Sequence, residues 1–270
     1  MMGETETSMQ DLTMPDASEG HRLRLLSYNI QVGINSIHPR HYLTKSWKHV
    51  FPASRRFETL DKIARLLRHY DVVGLQELDS GSHRTNYVDL TEYLANKAEY
   101  PFWYHQLNRN LGRLAQHGNG MLSRIRPSEI VEHKLPGMIP GRGALLARYG
   151  HADNALAVVM LHLALGTRAR ARQLGFVAEL LQDYPHAVVM GDLNCTHDSL
   201  EMRRLFSTTT LCEPVEALHT FPSWKPERNI DHILVSSELE VVGCSVLNHA
   251  HSDHLPIAME VKLPAGLLLG

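Results

Sequence analysis

From Leu23 onward, short apolar runs alternate with stretches whose apolar residues recur every three or four positions. Leu23–Ile30, Val72–Gln76, Gly120–Ser123, Leu145–Tyr149, Ala155–His162, Ala187–Met190, Ile230–Val235, Val241–Leu247 and Ile257–Val261 have strand length. Several are apolar almost throughout, as expected of strands covered on both faces. Between them, Phe57, Leu60, Ala64 and Leu67 repeat at helical spacing behind Ser54, a candidate N-cap. Leu174, Val177, Ala178 and Leu181 do the same after Thr167, and Pro185 ends that helix. Residues 1–20 lack any such period and read as a disordered tail. Gly33–Pro52 and Phe102–His117 read as long loops rich in aromatic and basic side chains. Loops at strand exits often carry specificity, so substrate contact by one of them is an expectation.

Length alone allows one large or two small domains. The chemistry-bearing motifs, however, run from Asn29 to His254, so one site must recruit both ends of the chain. This predicts a single domain over 21–263, between the 1–20 tail and a C-terminal tail at 264–270. A net charge of −2 removes any argument from a globally basic chain for nucleic-acid binding, though not from local patches. The three cysteines, Cys195, Cys212 and Cys244, lack CxxC spacing, which argues against a disulfide framework or structural zinc. The acidic, polar N-terminus is unlike a signal peptide, and no run approaches the ~20 apolar residues of a span. The expectation is a cytoplasmic monomer without stable membrane insertion.

Polar residues at the ends of the apolar runs carry the candidate chemistry. Asn29 follows the first run; Gln76 and Glu77 close the second. Val189-Met190-Gly191-Asp192-Leu193-Asn194 places an acid and an amide on one side of an extended chain. Asp231 opens an apolar run, and Ser252-Asp253-His254 sets a carboxylate beside an imidazole. Carboxylates hold hard cations and His titrates near neutrality, so such ends suit metal binding and proton transfer. Asp192 can accept the proton of an attacking water, while the Asn194 amide can hold water or a phosphate oxygen. His162 ends another run. His232, one residue after Asp231, faces the other side of its strand and reads as structural. The 18 histidines are scattered without HExxH or paired-cysteine spacing, which argues against zinc. Arg168, Arg170 and Arg172 fan over about 200° of a helix, so one of them, Arg172 beside Gln173, is the candidate to reach the site. Trp224 either stacks on a base, caps a lipid head group or anchors packing. Asn119 either lies near substrate or forms a Gly-Asn turn.

The ordered set of Asn29, Gln76-Glu77, Gly191-Asp192-Leu193-Asn194, Asp231-His232 and Ser252-Asp253-His254 resembles the endonuclease/exonuclease/phosphatase superfamily over roughly residues 22–262. That superfamily includes deoxyribonuclease I, abasic-site endonucleases, neutral sphingomyelinases and inositol-polyphosphate 5-phosphatases. The resemblance implies a deoxyribonuclease I-like, four-layered α/β sandwich, with two mixed β-sheets face to face and helices outside. It implies Asn29, Glu77 and Asp253 as ligands of Mg2+ or Mn2+, and His162, Asp192, Asn194, Asp231 and His254 as catalytic residues. Asn119, Arg172 and Trp224 become candidate substrate contacts. His162, where abasic endonucleases carry tyrosine, points to the deoxyribonuclease-like and sphingomyelinase-like members. The function expected is a phosphodiesterase acting on nucleic acid. The alternative is hydrolysis of a phospholipid head group or an inositol phosphate. A non-catalytic scaffold fits poorly with the intact residue set.

Overall fold

The computed structural model describes residues 21–33, 53–110, 116–137, 141–150, 154–215, 218–267 and 269. Its elements are, in chain order, β1 (Arg22–Asn29), α1 (Ala53–Leu67), β2 (Val72–Asp79), α2 (Leu90–Ala98), β3 (Phe102–Asn110), β4 (Gln116–Ser123), β5 (Glu129–Lys134), β6 (Gly143–Tyr149), β7 (Leu156–His162), α3 (Thr167–Leu180), β8 (His186–Asp192), α4 (Leu200–Thr208), β9 (Leu211–Cys212), β10 (Asp231–Ser236), β11 (Glu240–Val246) and β12 (Ile257–Lys262). They form two mixed six-stranded sheets, ordered β11-β12-β1-β2-β4-β3 and β5-β6-β7-β8-β10-β9.

The two-residue period of a strand explains the layering. Along β7, Leu156, Val158 and Met160 enter a core shared by both sheets, while Ala157, Val159 and Leu161 enter a second core against α3 and α4. On β1, Leu23 and Leu25 join the shared core, whereas Leu26 and Tyr28 pack with α1 and α2. Each sheet is therefore buried on both faces, and the architecture is a four-layered α/β sandwich. Gly74 marks how closely the sheets approach: a Cβ there would lie 2.6 Å from Met160 Cγ on the facing sheet. Among the described residues no helix is long and apolar enough to cross a membrane.

The expected runs become strands, with differences that have physical causes. Within Phe102–His117, residues 102–110 are not loop but strand β3 and Gln116 opens β4, while 111–115 lie outside the described residues. Tyr104 and Gln106 point inward there, while Trp103 and His105 stack on the outer face with centroids 6.2 Å apart. Polar side chains on this edge strand hide the period. The edge strand β5 and helices α2 and α4 also escape the apolar pattern; Asp89 caps α2 through Thr91 N and Glu92 N, and Ser199 caps α4 through Met202 N. Helix α1 begins at Ala53, so Ser54 lies within its first turn rather than ahead of it. Beyond β12 the chain is no loose tail, because Leu267 and Leu269 are buried in the shared core. Segments 1–20 and 34–52 lie outside the described residues.

Candidate active site

Alternation also decides which polar residues enter the space between the sheets. Met160, Met190 and Ile233 face the shared core, so His162, Asp192 and Asp231, each two residues away, face the same side. They are lateral neighbours as well: His162 pairs with Asp192 across the parallel β7–β8 ladder, and Asp192 with Asp231 across antiparallel β8–β10. Ala144 pairs with Leu161, which sets Gly143 beside His162 and extends the row to β6. Gly191 lets the row form, since a Cβ at its φ of +149° would meet Leu161 O at 1.9 Å.

The facing sheet contributes by a different device. Asn29 continues the inward side of Leu23 and Leu25, and Asn119 that of Met121. Glu77 does not follow the pattern. Val73 and Leu75 face the helices, so simple alternation would send Glu77 outward too. Instead the β2–β4 register slips between Leu75 and Leu78, Leu78 takes the outward place, and Glu77 adopts φ +56°. This β-bulge re-aims the carboxylate into the cleft. A non-glycine residue held there costs about 1–3 kcal/mol, the kind of local strain that gathers at functional sites.

The side chains meet at one carboxylate oxygen. Asp192 Oδ2 accepts from Asn29 Nδ2 at 3.1 Å and lies 3.4 Å from His162 Nε2 and 3.9 Å from His254 Nε2. Asn29 Nδ2 also donates to Glu77 Oε1 at 3.4 Å. Asp231 Oδ2 holds His254 Nδ1 at 2.8 Å and accepts from Thr220 Oγ1, while Phe221 packs on the imidazole at 4.8 Å. Asp253 accepts from Gln31 Nε2 at 3.1 Å and Ser252 Oγ at 3.2 Å. Asn194, at φ +54°, donates its backbone N–H to Asp192 Oδ1 at 3.0 Å and its amide to Leu163 O. Asn29, Glu77, His162, Asp192, Asn194, Asp231, Asp253 and His254 thus belong to one cleft at the sheet ends.

The remaining candidates stand differently. Asn29 Oδ1 accepts from Gln31 N at 3.2 Å, and its nitrogen faces the carboxylates of Glu77 and Asp192 and ties them together. Asn119 is in strand β4, not a turn, and donates to Gly143 O of the opposite sheet at 3.2 Å. Trp224 is half-buried beside the cleft, its neighbour Ser223 donating from N to Asp253 O at 2.8 Å. Arg172 is exposed on α3; the arginine that the fold fixes is Arg170, buried and bonded to Glu201 Oε1 at 2.8 Å. His232 is buried on the opposite face, between Glu213 Oε1 and Cys195 O. Sequence reasoning missed Gln31 and Thr220.

Burial and charge set the protonation states. Burial alone would discharge His254, but Asp231, then Asp192, raise it overall to about 10, so it is an imidazolium at neutrality. Asp192 rises to about 7, chiefly by burial and partly by Asp231 and Glu77, against the lowering effect of His254. His162 falls well below its ordinary value through burial and the charges of Arg142 and His254, and is neutral. Glu77 is raised by burial and by Asp253. One cluster thus holds a protonated and a neutral imidazole around a carboxylate that titrates near neutrality.

The donor set fits a hard divalent cation. Glu77 and Asp253 repel each other across the cleft, and Gln31 Oε1, next to Asp253, is buried with no hydrogen-bond partner among the described residues. Oxygen ligands with uncompensated charge suit such an ion. Asp192, Asp231 and His254 also bring three ligand atoms within 4.8 Å of one another. Asp231 is committed there to His254 and Thr220.

The Endonuclease/Exonuclease/phosphatase family model matches residues 26–254. An endonuclease/exonuclease/phosphatase from Beutenbergia cavernae superposes with a TM-score of 0.68 at 21% identity, over 90% of this chain and 72% of that one. A mannosyl-6-phosphatase from Bacteroides thetaiotaomicron gives 0.65 at 18%, covering 89% and 100%. A humanized TDP2 from D. rerio gives 0.62 at 17%, covering 89% and 99%. No protein of curated function matches the chain in sequence.

Proposed function

The chain belongs to the endonuclease/exonuclease/phosphatase family, whose members are phosphoesterase hydrolases and generally depend on a divalent metal, and from that premise we propose that it is a metal-dependent phosphodiesterase that cleaves nucleic acid by in-line attack of water. The observation that carries this reading is the meeting of Asn29, His162 and His254 on Asp192 Oδ2, within 3.1–3.9 Å.

Phosphoryl transfer needs charge neutralised on the non-bridging oxygens and a water aligned with the bond to be broken. Asp192 takes a proton from that water as its oxygen bonds to phosphorus and the ester oxygen departs, to be protonated by solvent. A base with a pKa near 7 suits the task at neutral pH. Asn194 N–H fixes the other Asp192 oxygen, so Oδ2 is the one turned to the reaction. His254, held charged by Asp231, sets its Nε2–H against a phosphate oxygen. Neutral His162 donates on the other side. A bound magnesium or manganese ion, held by Glu77 and Asp253 with Gln31 beside them, would supply Lewis-acid charge to the phosphate. Trp224, beside Ser223 at the cleft edge, offers a base a stacking surface.

The test is a screen in magnesium of double- and single-stranded DNA, RNA, bis-p-nitrophenyl phosphate, sphingomyelin, inositol phosphates and sugar phosphates, with Asp192→Ala as control. Metal-dependent cleavage of a nucleic acid, absent in the control, is expected. Release of phosphocholine or inorganic phosphate with all nucleic acids intact would replace this substrate by a head group or a phosphomonoester.

A further inference from the structure

Just ahead of β10 the chain folds back on itself between residues 220 and 228. Phe221 and Arg228 form an isolated antiparallel bridge, in which Arg228 N donates to Phe221 O at 2.9 Å and Phe221 N to Arg228 O at 3.1 Å. One end of this hairpin is tied to the catalytic groups. Thr220 Oγ1 donates to Asp231, Leu255 N donates to Thr220 O at 2.9 Å, and Ser223 N donates to Asp253 O at 2.8 Å. The Phe221 ring packs on the His254 imidazole with centroids 4.8 Å apart. The Arg228 guanidinium carbon lies 5.8 Å from the centroid of the same ring. A second cation is therefore held one aromatic ring away from the His254 imidazolium. Its backbone is fixed as well, by the bridge on one side and by buried Asn229 and Ile230 on the other. Lys225 and Glu227 of the hairpin pair with each other at 2.6 Å. The exposed Arg228 side chain, by contrast, makes no ion pair or hydrogen bond among the described residues.

We propose that Arg228 binds a non-scissile phosphate of the substrate strand, beside the one that meets His254, so that the cleft recognises a polynucleotide rather than a single phosphodiester. A phospholipid head group or a phosphomonoester brings one phosphate to the site. A nucleic-acid strand repeats its charge at every nucleotide, ~3.4 Å apart along the axis of a duplex. With its scissile phosphate at His254, such a strand carries a further charge past Phe221. Arginine suits that place, because its planar fork can grip two phosphate oxygens while its flat face rests against an aromatic ring. A net charge of −2 gives the chain no general attraction for a polyanion, so a placed guanidinium has the more to do. The other reading of Arg228 is a prop that only holds Phe221 against His254. That role acts through the imidazolium and weighs on every substrate alike. A contact to a neighbouring phosphate weighs only on substrates that have one.

The inference rests on the nuclease reading, and its test separates the two. In the full chain with magnesium, R228A, R228Q and R228K are compared with wild type on bis-p-nitrophenyl phosphate and on a single-stranded thymidine oligonucleotide. Binding of the same oligonucleotide, fluorescently labelled, is titrated over a range of salt concentrations with each substitution placed in the Asp192→Ala protein. We expect R228A to lower kcat/KM about tenfold more on the oligonucleotide than on bis-p-nitrophenyl phosphate, as for loss of one charged hydrogen-bonded contact. The difference should lie in KM rather than kcat, since the contact is made equally before and during reaction. The logarithmic salt slope of binding should become shallower by about 0.7, the share of one phosphate on a single strand. R228K should recover the slope but only part of the affinity, because an ammonium keeps the charge and lacks the fork. Equal losses on both substrates with an unchanged salt slope would overturn the assignment in favour of a prop for Phe221. Wild-type cleavage and binding of the oligonucleotide in R228A would overturn it too. If R228A does not fold, R228Q decides by the same comparison. Binding whose slope depends on Arg228, in a wild-type protein that cuts no nucleic acid, defeats the hydrolytic reading alone; a protein that neither binds nor cuts the oligonucleotide defeats both.

Discussion

The two sheets bring their residues to the cleft in opposite ways. On the second sheet, His162, Asp192 and Asp231 lie in one unbroken ladder, each on the side that strand alternation dictates. On the first, Glu77 is turned by a bulge and Gln31 has φ +44°, both off the regular path. The division matches the chemistry proposed for the site. Proton transfer and charge donation need donors and acceptors near 3 Å in fixed directions, which a regular ladder supplies. An ion is held by a charge in the right place, so a bulge that delivers one carboxylate is sufficient. In that reading the second sheet positions atoms and the first positions charge.

The contrast is sharpest in loss and rescue. Asp192→Ala should lower turnover by about 10⁴-fold, the upper end for a positioned base, and no magnesium concentration should restore it. Recovery at high magnesium would place Asp192 among the ion's ligands and erase the distinction. Glu77→Gln should cost about 10²-fold at low magnesium and regain much of that at saturation, because a neutral oxygen remains at the bulge; a loss insensitive to magnesium would break the division from the other side.

The pH profile tests Asp192 of the ladder together with the His254 that Asp231 holds. Asp192 is a raised acid, so the active, ionised form appears as pH rises through about 7. His254 is a raised base, so its charge is kept below about 10 and lost above it. Turnover should therefore rise through the first value and fall through the second, before any metal-induced displacement of Asp192 to lower pH. Asp231→Asn should move the alkaline limb downward by weakening the imidazolium; an unchanged limb would mean another group controls it. The stabilisation from His254 is complete below its ordinary value of 6.5 and disappears as pH climbs to about 10.

The smallest effect on rate belongs to the histidine next door. His232→Ala breaks a buried 2.7 Å pair with Glu213 and should cost about 3 kcal/mol of stability. Turnover of the folded fraction should change less than about threefold. A large drop in turnover with an unchanged melting point would show that the far face of β10 communicates with the cleft.

The residues at the ends of apolar runs were legible because strand period and residue type act locally: Asp192 follows Met190 by two positions, whatever else the chain does. Glu77 was legible as a motif, but its direction was not, since that depends on a register slip against β4. The orientation of the Asn29 amide was not legible, since it is set by a single backbone N–H at Gln31. Strand β3 looked like a loop because an edge strand tolerates His105, Asn108 and Arg109 where a central one would not.

The hydrogen bond between Asn29 and Asp192 joins β1 of one sheet to β8 of the other. A strand advances about 3.3 Å per residue, and a slip of one residue also turns its side chains over. Any misregistration in either sheet therefore separates this pair. The enzyme consequently has a built-in gauge of its own assembly: a chain that buries its apolar surface in the wrong register remains compact and collapsed yet catalytically silent, and the specific activity of a preparation reports how much of it has found the correct stacking.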